Sequence, residues 1–245
     1  MKKFSFCFLM VVISIIVLAA SLLYQISPFK KTAKLLDAVK SRDVALVSQL
    51  LDEGADPNQT DIPPSRAWSF LEITAHRPIY YACANGDLEI VKLLIDHGAT
   101  VDYQDNTGWS PLRGVLFRYD ANDIEIVKLL LENGADPEWM ESGNNSIFAA
   151  ADMRPYSSDG NYDPEIARGI TAIVQVLLGD RPVDMRGENG MTLLMVASRR
   201  GNISLVQYLI EHGCNPNLTD YQGKTAADYA TASGAEDILY ILNQV

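Results

Sequence analysis

The chain has few of the side chains that enzymes use most often for nucleophilic catalysis and metal binding. Among its 245 residues are three cysteines and three histidines. His76, His97 and His212 are too scattered in the sequence to form a metal site. A phosphate-binding glycine-rich loop and a G-x-S-x-G turn are both missing from the sequence. We therefore predict no catalytic residue, no cofactor and no bound metal.

Positive charge is also scarce. Lys and Arg number 20 against 31 Asp and Glu, which gives a formal net charge of -11. Residues 1–31 carry four lysines and no acid, so the acidity belongs to the rest of the chain. An acidic body disfavours nucleic acid, whose phosphates need cationic partners. The charge fits a basic protein partner, whose approach it would accelerate, and it fits a role in solubility alone.

A long apolar run stands near the N-terminus. Residues 4–24 contain no charged side chain, and lysines flank them on both sides. About 20 apolar residues in a helix cross the hydrocarbon core of a bilayer. An uncleaved signal anchor is the favoured interpretation, since signal-peptide cores usually run about 7–15 residues. A cleaved signal peptide is the alternative. The anchor predicts a single-pass membrane protein with its body on the exported or periplasmic side, and cleavage predicts a periplasmic or secreted protein.

Similar segments recur along the rest of the chain, at residues 81–99, 123–135 and 196–214. The fullest copies pair a small-residue helix ending at glycine with a second helix that carries an apolar stripe. The stripe of the copy at 81–99 contains Leu88, Ile90, Val91 and Leu94. One such unit cannot bury its apolar face alone, so we expect the copies to stack side by side.

These segments resemble the ankyrin repeat, whose period is 33 and whose signature is T-P-L-H-x-A. Altered copies of the signature stand at residues 77–82, 110–113, 191–197 and 224–230. The repeat ending of the type G-A-x-P-N stands at residues 54–58, 134–138 and 213–217. The resemblance implies an all-α solenoid of about six helix-turn-helix units, preceded by the N-terminal hydrophobic helix.

The predicted division of the chain is a segment 1–31 with the membrane or signal helix, and an ankyrin-repeat domain 32–245. Its units are expected at 32–61, 76–104, 105–140, 141–186, 187–219 and 220–245, with insertions at 62–75 and 152–169. The first and last units are interpreted as caps, and Arg42 stands where other units have a helix-ending glycine. The insertion 62–75 is interpreted as functional and 152–169 as neutral drift, since long loops cost little free energy.

The two cysteines of the repeats are predicted to be free thiols. Cys83 and Cys214 belong to units that are separated by two others. Packed helical layers advance roughly 8–10 Å each, which places the two sulfurs on the order of 25–30 Å apart. A disulfide needs Cα atoms within about 7 Å.

The resemblance implies that a protein partner binds a concave face, which the projecting turns and the first helices form. Interface hot spots favour Trp, Tyr and Arg. All three tryptophans of the chain fall in projecting turns or turn insertions. The adjacent pair Arg199 and Arg200 could bind a partner carboxylate or a neighbouring acid, and both readings stay open. The candidate contact residues are Trp68, Phe70, Tyr103, Asn106, Trp109, Trp139, Met140, Glu188, Met191, Arg199, Arg200 and Tyr221.

The favoured function is a non-catalytic protein-binding module tethered to a membrane by residues 4–24. An inhibitor or immunity protein is one concrete version, and neither nucleic acid nor a small-molecule substrate is expected. One alternative is a cleaved, soluble exported protein that assists a redox or stress enzyme. Another is an enzyme whose site is built by the unit-four insertion, with Asp152, Asp159, Asp163 and Glu165 as the acids that would act.

Overall fold

A computed structural model describes residues 28–60, 76–104, 109–116, 119–120, 122–138 and 145–245. This part of the chain holds twelve α-helices in six helix-turn-helix pairs and, apart from two isolated bridges, no β-structure. The first helices of the pairs are α1 Pro28–Lys40, α3 Pro78–Asn85, α5 Pro111–Val115, α7 Ser146–Ala151, α9 Leu193–Arg200 and α11 Ala226–Ser233. The second helices are α2 Val44–Asp52, α4 Leu88–Asp96, α6 Asp123–Glu132, α8 Pro164–Leu178, α10 Ile203–Glu211 and α12 Glu236–Leu242.

The first helices begin and end at residues that suit those positions. Thr192 and Thr225 accept hydrogen bonds from the backbone N–H of the third helical residue, as N-caps do. Gly86 and Gly201 end their helices in the left-handed conformation that glycine adopts without a steric penalty. Arg42 ends α1 at the corresponding place with φ +62°, so a non-glycine residue holds the left-handed conformation there.

The six pairs form one continuous stack. Each first helix packs against the first helix of the next pair, and each second helix packs against the next second helix. Ile90, Ile126, Ile173 and Leu205 of the second helices are all fully buried in one apolar cluster, which runs from Leu35 to Leu242. The predicted repeat fold is thereby confirmed for the described residues.

Hydrogen bonds also join the turns that follow the second helices. Thr100 donates its backbone N–H to the side-chain oxygen of Asn58 in the preceding turn, at 2.7 Å. The same arrangement joins Asp136 to Asp102 at 3.3 Å and Asn215 to Asp184 at 3.0 Å. Each of these three turns is therefore fixed by the turn before it, and this gives that part of the projecting edge a defined geometry.

The two cysteines of the repeats, Cys83 and Cys214, are buried and free, as predicted. Burial raises the pKa of the Cys83 thiol far above its ordinary value, with a further contribution from the charge of Asp123. Burial also raises the pKa of Cys214 to about 11, and Asp184 adds to the effect. Both thiols stay protonated at neutral pH and fill space in the core.

The predicted membrane segment, residues 4–24, lies outside the described residues, as does the whole insertion 62–75. None of the helices that the structure describes combines the length and the apolar character needed to span a bilayer.

Candidate protein-binding face

The first helices and the projecting turns share one side of the stack, which we call the concave face. Exposed candidates on this face include Glu188 and Tyr221, and Tyr221 has 79% of its surface exposed. Tyr221 lies against Gly190, where an added Cβ would stand 2.6 Å from its ring. Its backbone N–H donates to the carbonyl of Asn189 at 3.0 Å. The side chain is thus presented by a fixed turn.

A groove of about 720 Å³ opens between the third and fourth units. Helices α5 and α7 form its floor, and the loop between α7 and α8 forms one wall. We call it the unit three–four groove. Its lining residues are Trp109, Arg113, Leu116, Tyr119, Ala149, Asp152, Met153, Arg154, Tyr156, Ser158 and Ile166.

Of the three tryptophans, Trp109 is the one that lies within the described residues. Two neighbouring side chains hold it in the groove. Its ring meets the ring of Tyr80 edge to face, with centroids 5.9 Å apart. The guanidinium of Arg113 lies 5.1 Å from the Trp109 centroid, within the range of a cation–π interaction. Gly114 leaves room for Tyr80, since an added Cβ would stand 3.1 Å from its ring. The half-buried indole is therefore a rigid aromatic surface.

Asp152 binds both arginines of the pair at the end of α9. Arg200 donates two hydrogen bonds to its carboxylate, at 2.7 and 2.5 Å, and Arg199 donates one at 2.6 Å. Partial burial opposes ionisation of Asp152, but the hydrogen bonds and charges of Arg200 and Arg199 outweigh it, so its pKa is lowered. Of the two readings of this pair, the structure shows the neighbouring acid.

The loop at residues 152–163 is part of the packing. Tyr156 and Tyr162 pair in an isolated antiparallel bridge, and their rings meet edge to face. The Tyr156 hydroxyl would lie 2.9 Å from a Cβ added at Gly201, so the loop reaches the unit that follows. The interpretation of this insertion as neutral drift does not account for these contacts.

The other acids of the insertion have structural partners as well. Asp159 accepts hydrogen bonds from Ser157 and Asn161 within the loop, and these bonds lower its pKa. Asp163 caps helix α8 by accepting the backbone N–H of Glu165 at 2.8 Å. The carboxylate of Glu165 itself pairs with Arg168. These carboxylates stabilise the loop and the helix start, and no two of them bond to each other.

Two candidate contact residues are placed differently from the sequence-based expectation. Tyr103 is 9% exposed and Met191 is 8% exposed, so both belong to the packing beneath the face. The backbone N–H of Arg77 donates to the Tyr103 hydroxyl at 3.3 Å, and the Arg77 guanidinium lies 4.3 Å from the ring centroid. A long apolar side chain in a projecting turn can pack inward between units, and the repeat pattern alone does not distinguish this from exposure.

The remaining candidates divide into two groups. Arg199 is exposed and Arg200 is half-buried, and both engage Asp152. Five candidates lie outside the described residues, namely Trp68, Phe70, Asn106, Trp139 and Met140.

Sequence reasoning missed the groove residues that the insertion supplies. Arg154 and Tyr156 line the groove, but they stand in a segment that the repeat pattern does not cover. Two tyrosines and an arginine within such a short insertion were a usable signal, since these residue types are common at interface hot spots.

The histidines have local structural contacts. The Nδ1 atoms of His97 and His212 each lie 2.8 Å from the carbonyl oxygen four residues earlier, at Leu93 and Tyr208. Each therefore binds the C-terminal end of its own helix, where a partly positive group is favourable. In the residues that the structure describes, no cluster of His, Cys, Asp and Glu has the arrangement of a metal site.

Comparison with known proteins identifies the same type of repeat in this chain. A family model described as ankyrin repeats (3 copies) matches residues 35–141 and 166–244. The stretch between the two matches contains most of the unit-four insertion. This insertion is therefore an addition to the repeat pattern rather than part of it.

Several curated proteins are similar over most of this chain. The putative ankyrin repeat protein YahD of Escherichia coli is 27% identical over 219 residues, covering 86% of this chain and 94% of that protein. The putative ankyrin repeat protein FPV230 of Fowlpox virus is 25% identical, covering 82% of this chain and 93% of that protein. The ankyrin repeat and KH domain-containing protein mask-1 of Caenorhabditis elegans is 26% identical over 71% of this chain, which spans 6% of that protein's length. Together with the six stacked helix pairs, these matches establish that the chain belongs to the ankyrin-repeat family.

Proposed function

We propose that this chain is a non-catalytic adaptor that binds a protein partner on its concave face. Ankyrin repeats imply a protein–protein interaction module. The observation that carries the proposal is that half-buried Trp109 and exposed Arg154 and Tyr221 lie on one side of a continuous stack. Aromatic residues and arginine on a rigid surface supply most of the binding energy in protein interfaces. Little conformational entropy is lost when such a surface binds.

The chemistry of the described residues supports a non-catalytic role. Both thiols are buried with raised pKa values, which makes them poor nucleophiles. The acids of the unit-four insertion are each committed to a hydrogen bond or ion pair that stabilises the fold. An enzyme site in this insertion would have to break those interactions before its acids could act on a substrate.

We further propose that residues 4–24 tether the body to a membrane on its exported or periplasmic side. The support is the uncharged apolar run and its flanking lysines. In this arrangement the chain would act as an inhibitor or immunity protein that neutralises another protein in that compartment. The net charge of -11 would attract basic proteins over long range and would disfavour nucleic acid.

Site-specific photocrosslinking in cells tests the binding face. A photoreactive residue is placed at Tyr221 or Glu188 on the concave face, and at Lys128 or Gln207 on the second helices as matched exposed controls. We expect a discrete crosslinked product from the concave positions and none from the controls. Products from the controls alone, or from all four positions equally, would exclude the concave face as the binding surface.

The tether has a separate test. The intact mass of the mature protein, purified from membranes with detergent, is compared with the mass of the full sequence. An uncleaved chain retained in the membrane fraction supports the anchor. Loss of about twenty N-terminal residues would show that the leader is cleaved and would contradict the anchor.

A further inference from the structure

We propose that the unit three–four groove binds an acidic, aromatic-containing peptide segment of the partner. This inference rests on the proposed function, and it adds the place and the chemistry of the contact. It follows from a local reversal of charge and from the apolar wall beside it.

The part of the groove that residues 152–154 form is basic on an acidic protein. The chain as a whole carries a net charge of -11. Arg113 and Arg154 line the groove, and Asp152 is the one carboxylate among the lining residues that the structure describes. Arg199 and Arg200 both pair with that carboxylate, so the charge of Asp152 is already balanced beside Arg154. Charges in a partly enclosed groove interact more strongly than charges in open water, so a negatively charged segment is favoured here.

Arg154 is the cation best placed to receive a carboxylate. It is exposed at the groove wall and makes no hydrogen bond or ion pair with another residue of the described part of the chain. A guanidinium binds a carboxylate with two parallel hydrogen bonds, which gives the contact a direction as well as strength. Arg113 is oriented differently, since its guanidinium lies over the ring of Trp109.

The same groove has an apolar wall for an aromatic side chain. Trp109, Met153 and Tyr156 line it beside the arginines. Aromatic rings and methionine adapt well to an inserted apolar group. The volume of about 720 Å³ falls within the range of binding pockets and is too large for a single ion.

Tyr119 also lines the groove, and acids lie near it. Burial raises the pKa of Tyr119, and the charges of Asp123, Glu165, Asp120 and Asp163 add to the effect. The positive charge available to a bound segment is therefore local to the part of the groove that carries Arg154.

Fluorescence anisotropy with peptide probes tests the inference on the full chain in a neutral detergent. The probe is a short fluorescein-labelled peptide of glutamates interrupted by phenylalanines. One control peptide has lysine in place of every glutamate, and another has serine in place of every phenylalanine. Arg154→Glu is the test variant, and Lys128→Glu on the outer helix α6 is the control with the same change of net charge. Circular dichroism establishes that both variants fold.

We expect the glutamate–phenylalanine probe to bind more tightly than either control peptide. Arg154→Glu should weaken that binding about tenfold or more, and Lys128→Glu should leave it nearly unchanged. Equal losses in the two variants would show a net-charge effect and overturn the inference. Equal binding of the lysine peptide, or no binding of the probe, would do the same.

The peptide-binding test and the crosslinking test can fail independently of each other. A partner crosslinked from Tyr221 and Glu188 in a protein that fails to bind the acidic probe would leave the adaptor role standing and remove the groove assignment. Crosslinks restricted to the outer helices would remove the adaptor role whatever the probe does.

Discussion

The carboxylate of Asp152 accepts two hydrogen bonds from the guanidinium of Arg200, at 2.7 and 2.5 Å, across a separation of 48 residues. Asp152 follows the first helix of unit four, and Arg200 ends the first helix of unit five. The pair therefore joins two neighbouring units on the side that carries the groove. It also fixes the start of the loop that forms the groove wall.

The first prediction concerns stability. Asp152→Asn should lower the free energy of unfolding by about 1–2 kcal/mol, because half-buried charged hydrogen bonds between units are lost. Urea denaturation followed by circular dichroism measures the change. Glu165→Gln is the control, since its exposed pair with Arg168 should contribute less than about 1 kcal/mol. A loss in Asp152→Asn no larger than in the control would contradict a structural role for the pair.

The second prediction concerns pH. The folded-state pKa of Asp152 lies below its ordinary value of 3.8, so its contribution to stability is full above that value. The contribution is lost as the pH falls through the folded pKa. The stability difference between the natural chain and Asp152→Asn should therefore be constant from pH 7 to about 5 and shrink below about pH 4. A difference that stays constant at low pH would show that the carboxylate charge is not responsible.

The third prediction concerns a close contact between a glycine and the core. A Cβ added at Gly187 would stand 2.9 Å from the ring of Phe148, which is only 2% exposed. Gly187→Ala should therefore cost about 1–3 kcal/mol of stability, as overpacking usually does. Phe148→Leu, which makes room, should reduce the cost of Gly187→Ala when the two are combined. Additive losses would show that the two positions do not interact.

The fourth prediction concerns the end of the first helix. Arg42 has φ +62°, a conformation that costs a residue with a Cβ roughly 1 kcal/mol. Arg42→Gly and Arg42→Ala both remove the ion pair with Asp87, so their difference isolates the backbone effect. Arg42→Gly should be the more stable variant by about 1 kcal/mol. Equal thermal midpoints for the two variants would contradict the left-handed conformation at this position.

The repeat fold was predictable from sequence because its signals are local. A capping Thr192, a helix-ending Gly201 and the apolar stripe of the next helix lie within a few residues of one another. The burial of Tyr103 and Met191 was not predictable in this way, since a projecting turn can face a neighbouring unit or a partner. Which way such a side chain faces depends on how two neighbouring units pack together. The sequence of one unit alone does not determine that packing.

The groove depended on information that the repeat pattern lacks. The loop at residues 152–163 has no counterpart in the other units, so no register placed Arg154 or Tyr156 on the concave face. The two readings of Arg199 and Arg200 were resolved only when the loop brought Asp152 against them. Contacts between residues this far apart in the sequence can be predicted only when the three-dimensional path of the insertion is known.

Hydrogen–deuterium exchange of the chain, alone and with the partner recovered by crosslinking, tests the central claim most directly. If the concave face binds the partner, the amides of the projecting turns and of α5, α7 and α9 should exchange more slowly in the complex. The second helices α6, α8 and α10 should be unaffected. Slower exchange confined to the second helices, with no change on the concave face, would contradict the account.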